Sequence, residues 1–422
     1  MRNISEFAAP VVTTCALVLG VNHTIWAGPM PLDLRTDGLL VADLTRDAVY
    51  YTRDLNADGV ATGAGEVSIY FDENNASGLA SPTNSVFSVF QSETGHIYIG
   101  DGTSDSVYRL SDFNADGDAQ DAGEARVWFS EANMGGFTLP TPNSVYEGPD
   151  NALYIVNAGV SSRPTDAVYR TIDLNNDGDA NDAGEASVWL DLSNLASAVL
   201  GGGVPINRSS AFDITFIGDT AYIADTVGGE PDTVFRAHDA NFNGQIDAGE
   251  LNVFIDDNNL FGVPVATGLV SNQQDSLFIL ESSSSADQTL YRLQDEDASG
   301  AIDDVGEAVE VWNEAQVGAL GVQLGSAFSL AIGPNGEISV VSGGADLSDN
   351  VFRLVDQNGD GDFLDAGETL LWAAGNGSGV FADFARTAEY ISVVAPVPLP
   401  APALLLCTGL ACLCRSLRRA KA

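Results

Sequence analysis

Six stretches of this chain carry oxygen donors at a spacing that suits one chemistry, the holding of a divalent cation. They read DLNADGVATGAGE from Asp54, DFNADGDAQDAGE from Asp112, DLNNDGDANDAGE from Asp173, DANFNGQIDAGE from Asp239, DEDASGAIDDVGE from Asp295 and DQNGDGDFLDAGE from Asp356. Asp stands first, Asn or Asp third, Asp, Asn or Ser fifth, and Gly sixth. Alternate residues of such a loop turn their oxygens inward and the Gly permits the sharp turn. Hard oxygen ligands at this density suit Ca2+ better than Mg2+. So much like charge in a plain turn would repel itself, and a cation is the missing partner.

The candidate ligands run loop by loop. They are Asp54, Asn56, Asp58 and Glu66; Asp112, Asn114, Asp116, Asp118, Asp121 and Glu124; and Asp173, Asn175, Asp177, Asp179, Asp182 and Glu185. The later loops offer Asp239, Asn241, Asn243, Gln245, Asp247 and Glu250; Asp295, Asp297, Ser299, Asp303 and Glu307; and Asp356, Asn358, Asp360, Asp362, Asp365 and Glu368. The fourth copy matches the EF-hand pattern throughout, with Gly244 sixth, Ile246 eighth and Glu250 twelfth. The other five place their Glu thirteenth, which puts its bidentate role in doubt. In copies two, three and six an Asp at position 10 (Asp121, Asp182, Asp365) offers to close the site instead, and in copy five Asp303 or Asp304 does. Copy one, with Val60, Thr62 and Gly63 where acids stand elsewhere, is the expected empty site. Over these 12 or 13 residues the loops resemble the strand-flanked calcium loops of integrin-type propellers and the acidic repeats of dockerins and thrombospondins.

The elements around the loops repeat as well. Loop starts lie 58, 61, 66, 56 and 61 residues apart, so one supersecondary unit is used six times. Before each loop stands an alternating segment such as SVYRLSD or NVFRLVD, and after it another such as EARVWF or ETLLWA. An aromatic follows the loop Glu by four residues in five copies (Tyr70, Trp128, Trp189, Phe254, Trp372) and by five in one (Trp312). The acidic loop is therefore the turn of a hairpin. With two further short strands per unit and no helical periodicity, the pattern predicts an all-β, six-bladed β-propeller spanning residues 30–395. Residues 377–394 are expected to pair with or replace strands near Pro31 to Leu44 and close the ring; a seven-bladed closure is the alternative. The aromatics read as blade packing. Arg109, Arg170, Arg236, Arg292 and Arg353 read as partners of the adjacent acidic loops rather than as an anion-binding ring.

The ends are of another kind. Residues 1–27 follow the plan of a secretory signal peptide: an early Arg, an apolar run from Ala8 to Val21, then small residues. Residues 397–422 join VPLPA (Val397, Pro398, Leu399, Pro400, Ala401) to a short apolar run and a basic tail of Arg415, Arg418, Arg419 and Lys421. That order resembles the VPLPA-type C-terminal sorting signals related to PEP-CTERM. The resemblance implies export from a Gram-negative bacterium, transient anchoring in the inner membrane, processing by an exosortase-type enzyme, and delivery to the cell surface or beyond. All four Cys lie in these two segments, so the body has no disulfide chemistry.

Without those segments 12 basic residues face 58 acidic ones, a net charge near −46. Such a polyanion excludes nucleic acid as a partner and meets an anionic surface only through a bridging cation. The expected role is a calcium-binding surface or matrix module, with polysaccharide or a surface protein as partner. Its recognition loops would be DGTSD, AGVSSRPTD, DTVGGEPD, ESSSSADQ and SGGADLSDN, opposite the calcium loops. The rival reading is a metal-dependent hydrolase. The second strands end at Asp43, Asp101, Asn157, Asp225, Glu281 and Ser342, which with Asn84 and Asn143 would ring the channel mouth. That arrangement is similar to gluconolactonase-type propellers, with calcium-dependent phytases a second analogy. Against it, only His96 and His238 remain in the body, at unrelated positions, so a His-based acid/base pair has no material.

Overall fold

The computed structural model describes residues 38–394, apart from 44–46, 80–85, 160–165, 193–209, 227–231, 248, 260–267, 282–287, 323, 344–348 and 376–387. Residues 1–27 and 397–422, expected to be a signal peptide and a sorting signal, Asn84, and most of the loops expected to recognise a partner lie outside the described residues. Among the described residues no helix is long and apolar enough to cross a membrane.

The β-type segments form six antiparallel sheets of four strands. Blade 1 contains β1 (Gly38–Asp43), β2 (Ala48–Arg53) and β3 (Val67–Phe71). Blade 2 is β4 (Val86–Gln91), β5 (Ile97–Asp101), β6 (Ser106–Leu110) and β7 (Ala125–Ser130). Blade 3 is β8 (Pro142–Glu147), β9 (Leu153–Asn157), β10 (Ala167–Thr171) and β11 (Ala186–Asp191). Blade 4 is β12 (Ala211–Ile217), β13 (Thr220–Asp225), β14 (Thr233–Ala237) and β15 (Leu251–Asp256). Blade 5 is β16 (Gly268–Ser271), β17 (Leu277–Glu281), β18 (Thr289–Leu293) and β19 (Ala308–Asn313), followed by a single helical turn, α1 (Ala315–Gly318). Blade 6 is β20 (Ser326–Ile332), β21 (Ile338–Gly343), β22 (Asn350–Leu354) and β23 (Thr369–Ala374). The last strand, β24 (Ala388–Val394), returns to blade 1 and pairs with β1, Val394 opposite Gly38.

The chain is thus a six-bladed propeller whose C-terminal strand supplies the innermost strand of its first blade. The closing segment pairs with β1 as expected, and it fills blade 1 instead of starting a seventh. Six apolar clusters sit at the seams, one per pair of neighbouring blades. Tyr51, Tyr70 and Phe71 of blade 1 pack with Val86, Ile97 and Tyr108 of blade 2, for example. At the closing seam Trp372 and Val351 of blade 6 pack with Leu39, Val41 and Tyr50 of blade 1. The second strands are buried on both faces, which explains their near-continuous apolar character (GLLVAD, IYIGD, LYIVN) where a half-buried strand would alternate.

Every third-to-fourth strand pair is interrupted at the same place by a register shift. It falls between Val49 and Tyr50, Val107 and Tyr108, Val168 and Tyr169, Val234 and Phe235, Leu290 and Tyr291, and Val351 and Phe352. The extra residue on the outer strand is Tyr70, Trp128, Trp189, Phe254, Val311 or Trp372. A bulge takes a residue out of its ladder and frees its backbone groups for other partners. All six lie four residues past the loop Glu. The blade 5 aromatic, Trp312, stands one further along because Val311 occupies the bulge.

Candidate metal centres

Each acidic loop is the turn between the third and fourth strands of its blade, so the six share one face of the disc with the turns joining first and second strands. The first Asp of a loop organises the head. Asp112 Oδ1 accepts the N–H groups of Ala115 (2.7 Å) and Asp116 (3.2 Å), and Oδ2 that of Gly117 (2.9 Å). Asp173 accepts from Asp177 and Gly178, Asp239 from Asn243 and Gly244, Asp295 from Ser299 and Gly300, and Asp54 from Asp58 and Gly59. The sixth position requires Gly because its φ is positive, +100° at Gly117 and +102° at Gly178.

The side chains of positions 3, 5 and 10 meet, the Asn amide of position 3 donating to the two carboxylates. Asn114 Nδ2 lies 2.9 Å from Asp116 Oδ2 and 2.6 Å from Asp121 Oδ2. Asn175 meets Asp177 and Asp182 at 2.9 and 2.7 Å, and Asn358 meets Asp360 and Asp365 at 3.0 and 2.5 Å. In the shorter fourth loop Asn241 and Asn243 both reach Asp247, at 3.0 and 2.7 Å. The fifth loop has Asp297 at position 3 and gathers the most carboxylates. Asp295, Asp297 and Glu307 bring one oxygen each within 4.8 Å of one another, as do Asp297, Asp303 and Asp304. Hard oxygen donors, several to a loop, fit Ca2+ in kind and number.

The loop Glu has a duty that the EF-hand comparison does not suggest. Glu124 Oε1 accepts the N–H groups of Phe113 (2.9 Å) and Asn114 (3.3 Å), and Oε2 that of Asp121 (3.1 Å). Glu185, Glu250 and Glu307 do the same at equivalent positions. Glu66 accepts from Leu55, Asn56 and Gly63, and Glu368 from Gln357 and Asp365. Glu250 at position 12 thus takes the role its counterparts take at position 13. The position 7 acids Asp118, Asp179 and Asp362 cap the N–H groups of Gln120, Asn181 and Leu364, while Gln245 has its own N–H on Asn243 Oδ1. Burial pushes the Asp112, Asp118 and Glu124 carboxyls above their ordinary range. At Glu307 burial also raises, but the surrounding backbone N–H groups outweigh it and hold the carboxyl low.

Only Ile246 stood out in the sequence, as part of the EF-hand pattern, but the eighth position is apolar in all six loops. Its N–H donates to the bulge carbonyl of the preceding blade: Ala61 to Trp372, Ala119 to Tyr70, Ala180 to Trp128, Ile246 to Trp189, Ile302 to Phe254 and Phe363 to Val311, all at 2.7 or 2.8 Å. Each loop therefore staples its own blade to the one before it, and loop 1 staples the closing seam. The aromatics are packing residues: Tyr70, Trp312 and Trp372 are wholly buried, and the indoles of Trp128, Trp312 and Trp372 donate to Thr171, Thr369 and Thr52 of the next blade.

Arginines bridge the same seams. Arg292 Nη1 lies 3.2 Å from Gly361 O in the next blade's loop, and Arg53 and Arg236 lie beside Gly117 and Gly300. Arg109 and its cross-strand neighbour Arg126 both face Gly178, with Arg126 3.4 Å from Asp177 O. Arg170 and Arg353 turn instead to Asp150 (2.6 Å) and Glu337 (3.0 Å).

The channel-mouth ring lies at the other end of the disc, and all six of its members are buried. Asp101 accepts from the backbone of Thr103 and Ser104 and from the Ser104 hydroxyl, closing its own turn. Asn157, Asp225 and Ser342 accept the N–H groups of Thr141, Ser210 and Gly325, just ahead of the innermost strands. Asn143 donates to Ala211 O. Asp43 and Glu281 also have partners. Among the described residues no three carboxylates or imidazoles of this ring gather within 4.8 Å. His96 bonds Ser111 Oγ at 2.7 Å; burial, then Arg109 and Arg126, push its pKa down to about 4. His238 stands apart, beside Asp219.

No protein-family model matches the chain, and a comparison with curated proteins finds no match. Solved structures resemble it in chain trace. A chain of a nidogen/laminin complex aligns with a TM-score of 0.50 at 11% identity, over 86% of this chain and 99% of that one. A calcium-binding regucalcin from Agrobacterium tumefaciens aligns with 0.41 at 10% identity, over 67% and 73%. A gluconolactonase from Xanthomonas campestris aligns with 0.41 at 14% identity, over 82% and 87%. At these identities the likeness is one of fold.

Proposed function

We propose that this protein is an exported calcium-binding propeller that acts as a cell-surface or extracellular-matrix module, its ions serving first to hold the ring together. The observation that carries the reading is the joint construction of the loops. The oxygen-bearing side chains at positions 1, 3, 5 and 10 belong to the turn whose eighth residue is bonded to the neighbouring blade. A cation drawn into one loop stiffens a seam as well as a hairpin. It binds the folded geometry only, so it stabilises by RT ln(1 + [Ca]/Kd), roughly 2.7 kcal/mol per site at 100 times Kd. In a body without cysteine this replaces disulfides.

The N-terminal apolar segment and the VPLPA tail support export through an exosortase-type route, and the high negative charge supports a partner met through calcium, such as an acidic polysaccharide or surface protein. The test is a thermal melt of the purified protein, metal-free and in millimolar calcium, with calorimetric counting of ions. Four to six ions and a large rise in Tm are expected. A single tight ion with little change in Tm would sink the structural reading and favour a metal in the channel-mouth ring, as the hydrolase alternative requires.

A further inference from the structure

The central channel opens on the calcium-loop face into a well of about 560 Å3, lined by the six innermost strands. Its walls repeat as the blades do. One residue past the bulge on β4, β8, β12 and β20 stand Ser88, Ser144, Asp213 and Ser329. Serine is the small residue this crowded position takes, and Asp213 departs from it. The Asp213 carboxylate accepts from Ser144 Oγ (2.7 Å) and Ile214 N (2.9 Å) through Oδ1 and from Leu269 N (3.1 Å) through Oδ2, so it is fixed between three blades. At the mouth stand Glu93 and Glu147, with the Glu93 N–H 2.7 Å from Glu147 Oε2. Between them and the floor, Phe90 and Tyr146 make an aromatic wall, ring centroids 4.9 Å apart.

Among the described residues the lining of the well has three carboxylates and no Lys, Arg or His. Burial pushes the Asp213 carboxyl up to about 6, opposed only by hydrogen bonds, and burial raises Glu147 against the hydrogen bond from the Glu93 N–H, with the Glu93 charge a smaller push upward. Among the described residues no cation is paired with either carboxylate, in contrast to Glu337 with its Arg353. A metal ion is a poor match. The space is far larger than one ion's shell, and among the described residues no three of these carboxylates gather within 4.8 Å. Aromatic faces near carboxylates attract organic cations.

We propose that this well binds a small organic cation, an aliphatic amine whose ammonium group sits against Asp213 and whose other end lies between Glu93 and Glu147. This site is independent of the calcium loops and of the role assigned to them. The test is titration calorimetry on the calcium-saturated protein with 1,5-diaminopentane, 1,5-pentanediol and glutarate. The diamine binds one to one, while the diol and the dicarboxylate do not. Glu147→Gln weakens the diamine about tenfold, Asp213→Asn abolishes its binding, and Asp182→Ala, which alters a calcium loop, leaves it unchanged. If Asp213→Asn does not fold, Glu147→Gln decides. Equal binding of the diol would overturn the proposal in favour of a polyol site. Diamine uptake at many sites, indifferent to Glu147→Gln and lost with rising calcium, would overturn it in favour of counter-ions on the acidic surface.

Discussion

Replacing Glu185 by Ala separates two roles that the loop Glu could play. If it is chiefly a calcium ligand, the change weakens calcium binding and leaves the metal-free protein nearly as stable as before. The structure points to the other role. Glu185 is 2% exposed and accepts three backbone N–H groups, from Leu174 (2.9 Å), Asn175 (3.3 Å) and Asp182 (3.1 Å). Hydrogen bonds to a charged acceptor contribute about 1.5 to 3 kcal/mol when well buried, and less where water can replace the acceptor. Leu174 is 60% exposed, so its donor recovers a water. About 1 kcal/mol per bond gives a loss of about 3 kcal/mol in the metal-free state. With an unfolding entropy of ~2.1 cal/mol/K per residue, that lowers Tm by about 4 °C. Melts in a chelator, read by circular dichroism, measure it. Asp182→Ala is the control, expected to weaken calcium binding with a smaller change in the chelated Tm. An unchanged chelated Tm for Glu185→Ala would refute the capping role and return the residue to the ligand set.

Trp372→Phe removes the indole N–H that donates to Thr52 Oγ1 at 2.9 Å across the closing seam. A loss of about 1 to 2 kcal/mol is expected in urea unfolding, and no loss would show that the seam draws nothing from that bond. Asp213 makes stability depend on pH. Its folded pKa is raised to about 6, mainly by burial, so its favourable contribution is complete below the ordinary carboxylate range and is lost as pH rises through about 6. The stability of wild type relative to Asp213→Asn therefore falls between pH 4 and 7; a flat difference would contradict the raised carboxyl.

The six blades were legible because the motif is written six times at nearly constant spacing, and strands of period two admit few other architectures. That the position 10 acids turn back onto position 3 was legible for a similar reason: a turn whose head is fixed by its Asp and Gly leaves little choice of what faces the centre. The loop Glu was harder. Its side chain looks the same in sequence whether it meets an ion or three backbone N–H groups, and only the return of the outer strand decides. The bulges were hidden because Tyr70 or Trp128 reads as an ordinary alternation partner until its pairing is known. Asp213 was missed because the innermost strands lack the conserved spelling of the hairpins around the loops; FDITFI reads as one more apolar strand. The channel-mouth acids were found by position, yet position alone did not reveal that Asp101 and Asp225 serve turn and strand backbone.

The direction of β24 sets the posture of the molecule. It starts beside Asp43, at the end of the disc where the second strands finish, and ends opposite Gly38, on the face of the acidic loops. Only Ala395 and Pro396 then precede Val397, a reach of about 10 Å for an extended chain. On the proposed export route, a propeller still held by its tail would hang from its axis with six acidic loops turned toward the lipid and the opposite face toward the outside. Its charge would push it from an anionic bilayer until calcium arrived, so the ions proposed to close the seams would also decide how closely the disc lies on the membrane before it is released.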